Sequence, residues 1–134
     1  DIWSMTSVNE LARDGQRVVR QNMMNPTDAP QIPYVTQCLA ATEGPIIAAT
    51  DYIRAHTNQI REFMPRSFTV LGTDGFGRSD TRARLREFFE VDRRYVVFAA
   101  MTALADEGVI PRSDLAKVMS DLGIDPSKPD PTTV

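Results

Sequence analysis

Apolar and polar positions alternate between a two-residue period and a helical one along this chain, and the changes of period set the predicted elements. Ile2 to Thr6 alternates as a strand does. Ser7-Val8-Asn9-Glu10 follows as a capping box, a serine placed to bond the third helical amide and a glutamate to reach back. The helix it opens runs to about Gln21, with Val8, Leu11, Ala12, Val18 and Val19 along one side. Gly15 sits on that stripe, where it lets a neighbour pack closely. Asn22 to Pro33 carries three prolines and reads as an irregular loop. A short helix over Tyr34–Ala41 ends at Gly44-Pro45. The run Ile46-Ile47-Ala48-Ala49 has the continuous apolar character of a parallel strand buried on both faces. Thr50 or Asp51 is then expected to cap a helix from Tyr52 to Met64, stopped by Pro65, with Ile53, Ile60, Phe63 and Met64 turned inward.

The chain is arranged around its next stretch. Phe68 to Leu71 is a short apolar and β-branched strand, followed by Gly72, Gly75 and Gly77 within six residues. Arg78-Ser79-Asp80-Thr81 leads into a helix over Thr81–Phe89 made amphipathic by Leu85, Phe88 and Phe89, with Ser79 or Asp80 as its expected cap. In an open α/β sheet, a strand, a glycine-rich turn and a capped helix bring backbone amides together at the strands' carboxyl ends. Asp92 caps a further helix, Arg93–Glu107, so apolar all round that burial between layers or between chains is expected, with Gly108 at its C′ position. Leu115, Val118, Met119 and Leu122 mark a last helix over Ser113–Leu122, stopped by Gly123. Residues 125–134, with Pro126, Pro129 and Pro131, read as a tail with no core to join. Strands alternating with helices predict an α/β fold of three layers, a mostly parallel sheet between helices, over residues 1–124. The chain opens in mid-strand, with no leading methionine, so the sheet is expected to lack its first strand-helix unit.

Composition narrows the function classes. The 134 residues are 42% hydrophobic and 25% charged, ordinary for a globular domain. A net charge of −3 gives no electrostatic case for nucleic acid or an anionic membrane. One cysteine, Cys38, forbids an intrachain disulfide and suits a reducing, cytoplasmic setting. No apolar run approaches the length of a spanning helix.

Gly72, Thr73, Asp74, Gly75, Phe76, Gly77, Arg78, Ser79, Asp80 and Arg82 form the main candidate site. One reading is an anion-binding or interface loop, its amides helped by Arg78 and Arg82. The other is a tight turn whose glycines serve geometry and whose arginines join local ion pairs. The G-x-x-G-x-G spacing is neither the dinucleotide fingerprint nor a P-loop. Asp51, at a strand end, resembles a phosphoacceptor aspartate, but the acidic pair such a site needs is missing after Thr6, and a helix cap is the better reading. His56, the single histidine, flanks a buried stripe and reads as a packed residue; Cys38 with a distant His56 is thin support for a thiol nucleophile. Arg82, Arg84, Arg86, Arg93 and Arg94 interleave with Glu87, Glu90 and Asp92, the pattern of a mutually paired, solvated face.

Ala49-Thr-Asp-Tyr52, Val70-Leu-Gly-Thr-Asp-Gly-Phe-Gly-Arg-Ser-Asp-Thr-Arg82 and Phe88-Phe-Glu-Val-Asp92 resemble the C-terminal region of the homodimeric pyruvate dehydrogenase first component. The runs Thr6 to Gly15 and Asn22 to Pro26 fit as well, so the resemblance covers Asp1 to Leu122. It implies a transketolase C-terminal-type domain, the last of three in a homodimeric subunit that decarboxylates pyruvate and passes the two-carbon unit to a lipoyl group on an acyltransferase. It implies also that thiamine diphosphate and magnesium are bound by the preceding domains. Gly72-Thr73-Asp74-Gly75 only echoes the cofactor motif, so no catalytic or cofactor-binding residue is carried onto this stretch. The competing expectation is an autonomous module that binds a phosphate or nucleotide effector through Gly72–Arg82.

Overall fold

A computed structural model describes residues 1–134. Two parallel strands, β1 (Ile46–Ala49) and β2 (Phe68–Leu71), lie side by side with Ile46 opposite Phe68 and Ala49 opposite Leu71. The pleat sends Ile46, Ala48, Phe68 and Val70 to one face, where they join Val8, Ala12, Val35, Ile60 and Phe63 in the core. Those partners come from α1 (Val8–Met24), α2 (Tyr34–Leu39) and the segment after β1. On the opposite face α5 (Arg93–Asp106) lies against both strands and α6 (Asp114–Asp121) packs on α5. Helices, sheet, helices: the three-layer α/β architecture is present in small form.

Local signals explain most elements. Ser7 accepts the Glu10 amide at 3.3 Å, as a capping serine should, and α1 continues one turn beyond the expected end. Gly15 faces Phe63 so closely that a β-carbon there would lie 2.3 Å from the ring. Asn22 holds the proline-rich loop with both ends of its amide, accepting from the Gln31 amide and donating to the Gln31 carbonyl. Asp92 caps α5 through the amides of Arg94 and Tyr95.

Several expectations are corrected. Ile2–Thr6 is exposed and is not a strand; a strand needs a ladder, and β1 and β2 pair only with each other. The single helix expected over Tyr52–Met64 is instead a short helix, α3 (Arg54–Asn58), and a 3-10 turn at Arg61–Phe63. Its first residues are engaged elsewhere: the carbonyls of Asp51 and Tyr52 accept hydrogen bonds from Thr73, so the chain stays extended through Ile53. Ile53 is consequently exposed rather than inward, while Ile60 and Phe63 do enter the core. Burial of α5 is also incomplete: Ala103 is buried, most of its apolar residues are half-buried and Val97 is exposed.

The tail does find a seat. Pro131 is buried, and the Lys128 ammonium donates to the Phe88 carbonyl at 2.7 Å and pairs with Glu90 at 2.9 Å. Even so, only 13 of the 134 residues are buried. The accessible surface is 9077 Å², against about 7,000 Å² for a self-contained monomer of 15.0 kDa. The surplus is the size of a substantial protein interface, about 2,000 Å².

Candidate functional site: the glycine-rich loop at the carboxyl edge of the sheet

Parallel pairing in register brings the ends of β1 and β2 together, and the Thr50 amide extends the ladder to the Leu71 carbonyl at 3.0 Å. The loop after Leu71 therefore starts beside the β1–α3 connection. Gly72 is required there: a β-carbon would stand 2.7 Å from the Arg54 amide nitrogen and 2.8 Å from the Tyr52 carbonyl oxygen. Thr73 fixes the approach, its amide donating to the Tyr52 carbonyl at 2.9 Å and its hydroxyl to the Asp51 carbonyl at 2.8 Å. Asp74 then accepts from the Arg54 amide at 3.0 Å and from Arg54 Nε at 2.9 Å.

Gly75 turns the loop with φ +120°, a conformation side chains resist, and the Pro131 carbonyl oxygen sits 2.3 Å from where its β-carbon would be. The tail thus closes over the loop. Between them lies an open cavity of about 290 Å³ walled by Arg54, Asp74, Glu90, Lys128, Asp130 and Pro131, among others. Glu90 itself holds a left-handed backbone, φ +60°, at the end of α4 (Arg82–Phe88), and Lys128 bonds both it and the carbonyl two residues before it.

Beyond Gly75 the loop is open to solvent. Phe76 is 77% exposed, and Gly77 to Arg82 are exposed too. Neither Ser79 nor Asp80 caps α4. Thr81 does, accepting the Arg84 amide, while Asp80 accepts the Thr81 amide at 2.6 Å. Arg78 stacks over the Phe88 ring at 4.1 Å. A second open cleft, about 330 Å³, is lined by Arg78, Ser79, Asp80, Arg84, Leu85 and Phe88.

The remaining candidates scatter. Asp51 caps nothing; its carboxylate stands 3.5 Å from Arg86, and its neighbour Thr50 accepts the Tyr52 amide instead. His56 tilts against Tyr52 at 4.9 Å between ring centroids, with Gln59 at 3.4 Å from its Nδ1. Cys38 is half-buried on α2, and no hydrogen bond joins it to His56. The arginine face is paired in part, as expected: Arg86 with Asp51, Arg94 with Glu87 and Asp92. Burial opposes ionisation of Asp92, but bonds from the Arg94 side chain and the Tyr95 and Arg94 amides outweigh it and hold the carboxyl below its ordinary value.

Gly72–Gly75 does not fit a magnesium–diphosphate site. Asp74 is engaged by Arg54, the Pro131 carbonyl occupies the space over Gly75, and no three histidine, cysteine or carboxylate groups converge to hold a metal. Sequence reasoning missed Lys128, Pro131 and Arg66; the last donates to the carbonyls of Gly44, Leu39 and Thr42 and ties α2 to β1.

A family model described as the transketolase-like TK C-terminal domain matches residues 1–92. Across 134 residues, all of this chain, the sequence is 52% identical to a pyruvate dehydrogenase E1 component of Cupriavidus necator. It is 51% identical to that of Pseudomonas aeruginosa and 45% to that of Escherichia coli K12, each over 98% of the chain. The chain spans about 15% of the length of these relatives. No helix is long and apolar enough to cross a membrane.

Proposed function

This chain belongs to the family of transketolase-like TK C-terminal domains, and from that premise we propose that it is the structural, dimer-supporting domain of a pyruvate dehydrogenase subunit. The intact subunit decarboxylates pyruvate on thiamine diphosphate and magnesium held by its other domains, and acetylates lipoyl groups on a partner acyltransferase, in the cytoplasm. Residues 1–124 form the partial domain and 125–134 its strap, with no catalytic centre of their own. Similarity along the whole chain to pyruvate dehydrogenase E1 components carries this reading.

Physical observations support the structural role. Asp74, Thr73 and Gly75 of the loop are consumed in holding β1, α3 and the tail together. The exposed apolar residues Tyr52, Ile53, Phe76 and Val97 and the surplus surface are what a domain shows when its neighbours are removed. In the assembled subunit the Gly72–Arg82 loop faces another domain or the second protomer. The test is pyruvate decarboxylation with thiamine diphosphate and magnesium by the 134-residue chain beside the full-length subunit. Turnover by the full-length subunit alone is the expected result, and turnover by the chain overturns the assignment of chemistry to other domains.

A further inference from the structure

We infer that residues 125–134 are a releasable strap and that the Glu90–Lys128 pair is its latch, which when opened frees the glycine-rich loop and uncovers the cavity beneath the tail. This rests on the strap of the structural role above and adds how it is held and let go. Its test reads amide exchange rather than turnover, so either can fail without the other.

A latch shows itself in a residue that serves it at the expense of its own helix. Three helices, α4, α5 and α6, end in the same motif. After α5 the Gly108 and Val109 amides bond back to the Ala105 and Leu104 carbonyls, and after α6 those of Gly123 and Ile124 bond to Ser120 and Met119. After α4 the Glu90 and Val91 amides bond to Glu87 and Arg86 in the same way. The left-handed residue is glycine in the first two, with φ +76° and +64°, but glutamate in the third, with φ +60°. Glu90 is the one residue other than glycine with positive φ in the chain. Glycine would end α4 with less strain, so helix termination does not account for a glutamate there. Its carboxylate does. It accepts the Lys128 ammonium at 2.9 Å, and the same ammonium donates at 2.7 Å to the Phe88 carbonyl, one of those a helix end leaves free.

The tail is built to leave as a unit. Asp125 accepts the Ser127 amide and hydroxyl, Asp130 accepts those of Thr132, and the Lys128 and Thr133 amides bond the Asp125 and Asp130 carbonyls. Its only hydrogen bonds to the body are the two from the Lys128 ammonium, and its one buried residue is Pro131, seated over Gly75. Lys128 also lies 5.4 Å from the Phe88 ring centroid and 5.8 Å from that of Tyr95, and its side chain is 20% exposed. Partial burial makes this pair stronger than one on open surface. The cavity of about 290 Å³ is walled by both anchors. With the Lys128 anchor broken, only the Pro131 contact keeps the tail over the loop.

The experiment is amide exchange read by mass spectrometry on the full-length subunit. Glu90→Gly and Lys128→Met should each quicken exchange over residues 125–134 and 72–77 at least about fivefold, and the two together no more than either alone. Glu90→Gly should leave residues 82–89 exchanging as before, since glycine suits the helix end. Lys117→Met, which removes an exposed ion pair with Asp121, should change neither segment. Unaltered exchange over the tail in either single variant overturns the inference. So does a double variant whose effect is the product of the two, because the residues then do not act as one latch. Faster exchange over 82–89 in Glu90→Gly also overturns it, assigning Glu90 to the helix rather than the strap. An equal rise in Lys117→Met does the same by making loss of charge the cause.

Discussion

Asp74 caps a helix to which it does not belong: its carboxylate accepts the backbone amide of Arg54 at 3.0 Å and Arg54 Nε at 2.9 Å, twenty positions earlier in the chain. The residue formally at that cap, Ile53, has no side chain able to accept. Asp14 does the same for α2, accepting the Tyr34 amide at 2.7 Å where Pro33 precedes the helix. Short helices that lack their own caps are thus held by carboxylates supplied across the fold.

Replacing Asp74 by alanine should cost about 1 kcal/mol, the ordinary loss for removing a helix-capping acceptor. Most of that belongs to the backbone bond, since the accompanying Arg54 pair is half open to water and contributes little. Denaturant unfolding of the full-length subunit measures it. Asp74→Asn, which keeps an acceptor, should recover more than half, and equal losses in both variants would show that the charge, not the cap, matters.

Gly75 and the tail stand or fall together. Gly75→Ala places a β-carbon on the Pro131 carbonyl at a φ that side chains avoid, so the tail must lift. Amide exchange across residues 72–82 and 125–134 should quicken at least about fivefold, equivalent to roughly 1 kcal/mol of lost local stability. Gly77→Ala is the control, because a β-carbon there meets open space. Equal exchange in the two variants would remove the strap from the account.

Acid should loosen the start of α5. The Asp92 carboxyl is held below its ordinary value, so its contribution to stability is complete above the unfolded value of about 3.9 and is lost as pH falls through the lower folded value. Asp92→Asn retains an acceptor for the Arg94 and Tyr95 amides but has no proton to take up. Melting temperatures measured from pH 6 down to pH 3 should therefore fall less steeply for Asp92→Asn than for the wild type. Parallel curves would assign acid sensitivity to other carboxylates, of which Asp14, Asp125 and Asp130 are also held low.

What could be read from the sequence was whatever a few neighbouring residues decide. Ser7, Asp92 before α5 and Gly108 after it each act within one turn, and each does in the structure what its position implied, whereas the Glu10 carboxylate pairs with Arg13 rather than reaching back to the cap. The runs at Ile46 and Phe68 were legible as strands from their short, mostly apolar stretches, but the burial expected on both faces of β1 is not there. Ile46, Ile47 and Ala48 are half-buried and Ala49 is exposed, while in β2 only Phe68 and Val70 are buried. Contacts between distant positions were not legible. Nothing near Tyr52 announces that Thr73 will claim its carbonyl and shorten the helix, and nothing in Pro129-Asp130-Pro131 announces a seat over Gly75. Ile2–Thr6 shows the converse: its alternation is intact, but a strand exists only where another strand lies alongside. At the candidate site the position of the loop was legible, at the carboxyl edge of the sheet, whereas its use of Asp74 as a cap depended on the fold.

The central claim, that this domain holds shape for chemistry performed elsewhere, is tested most directly by removing it. Sedimentation and pyruvate decarboxylation would be measured for the full-length subunit and for the same subunit ended just before Asp1. The account predicts that the shortened subunit loses its dimer and its turnover together. A shortened subunit that stays dimeric and decarboxylates pyruvate at the full rate would contradict it.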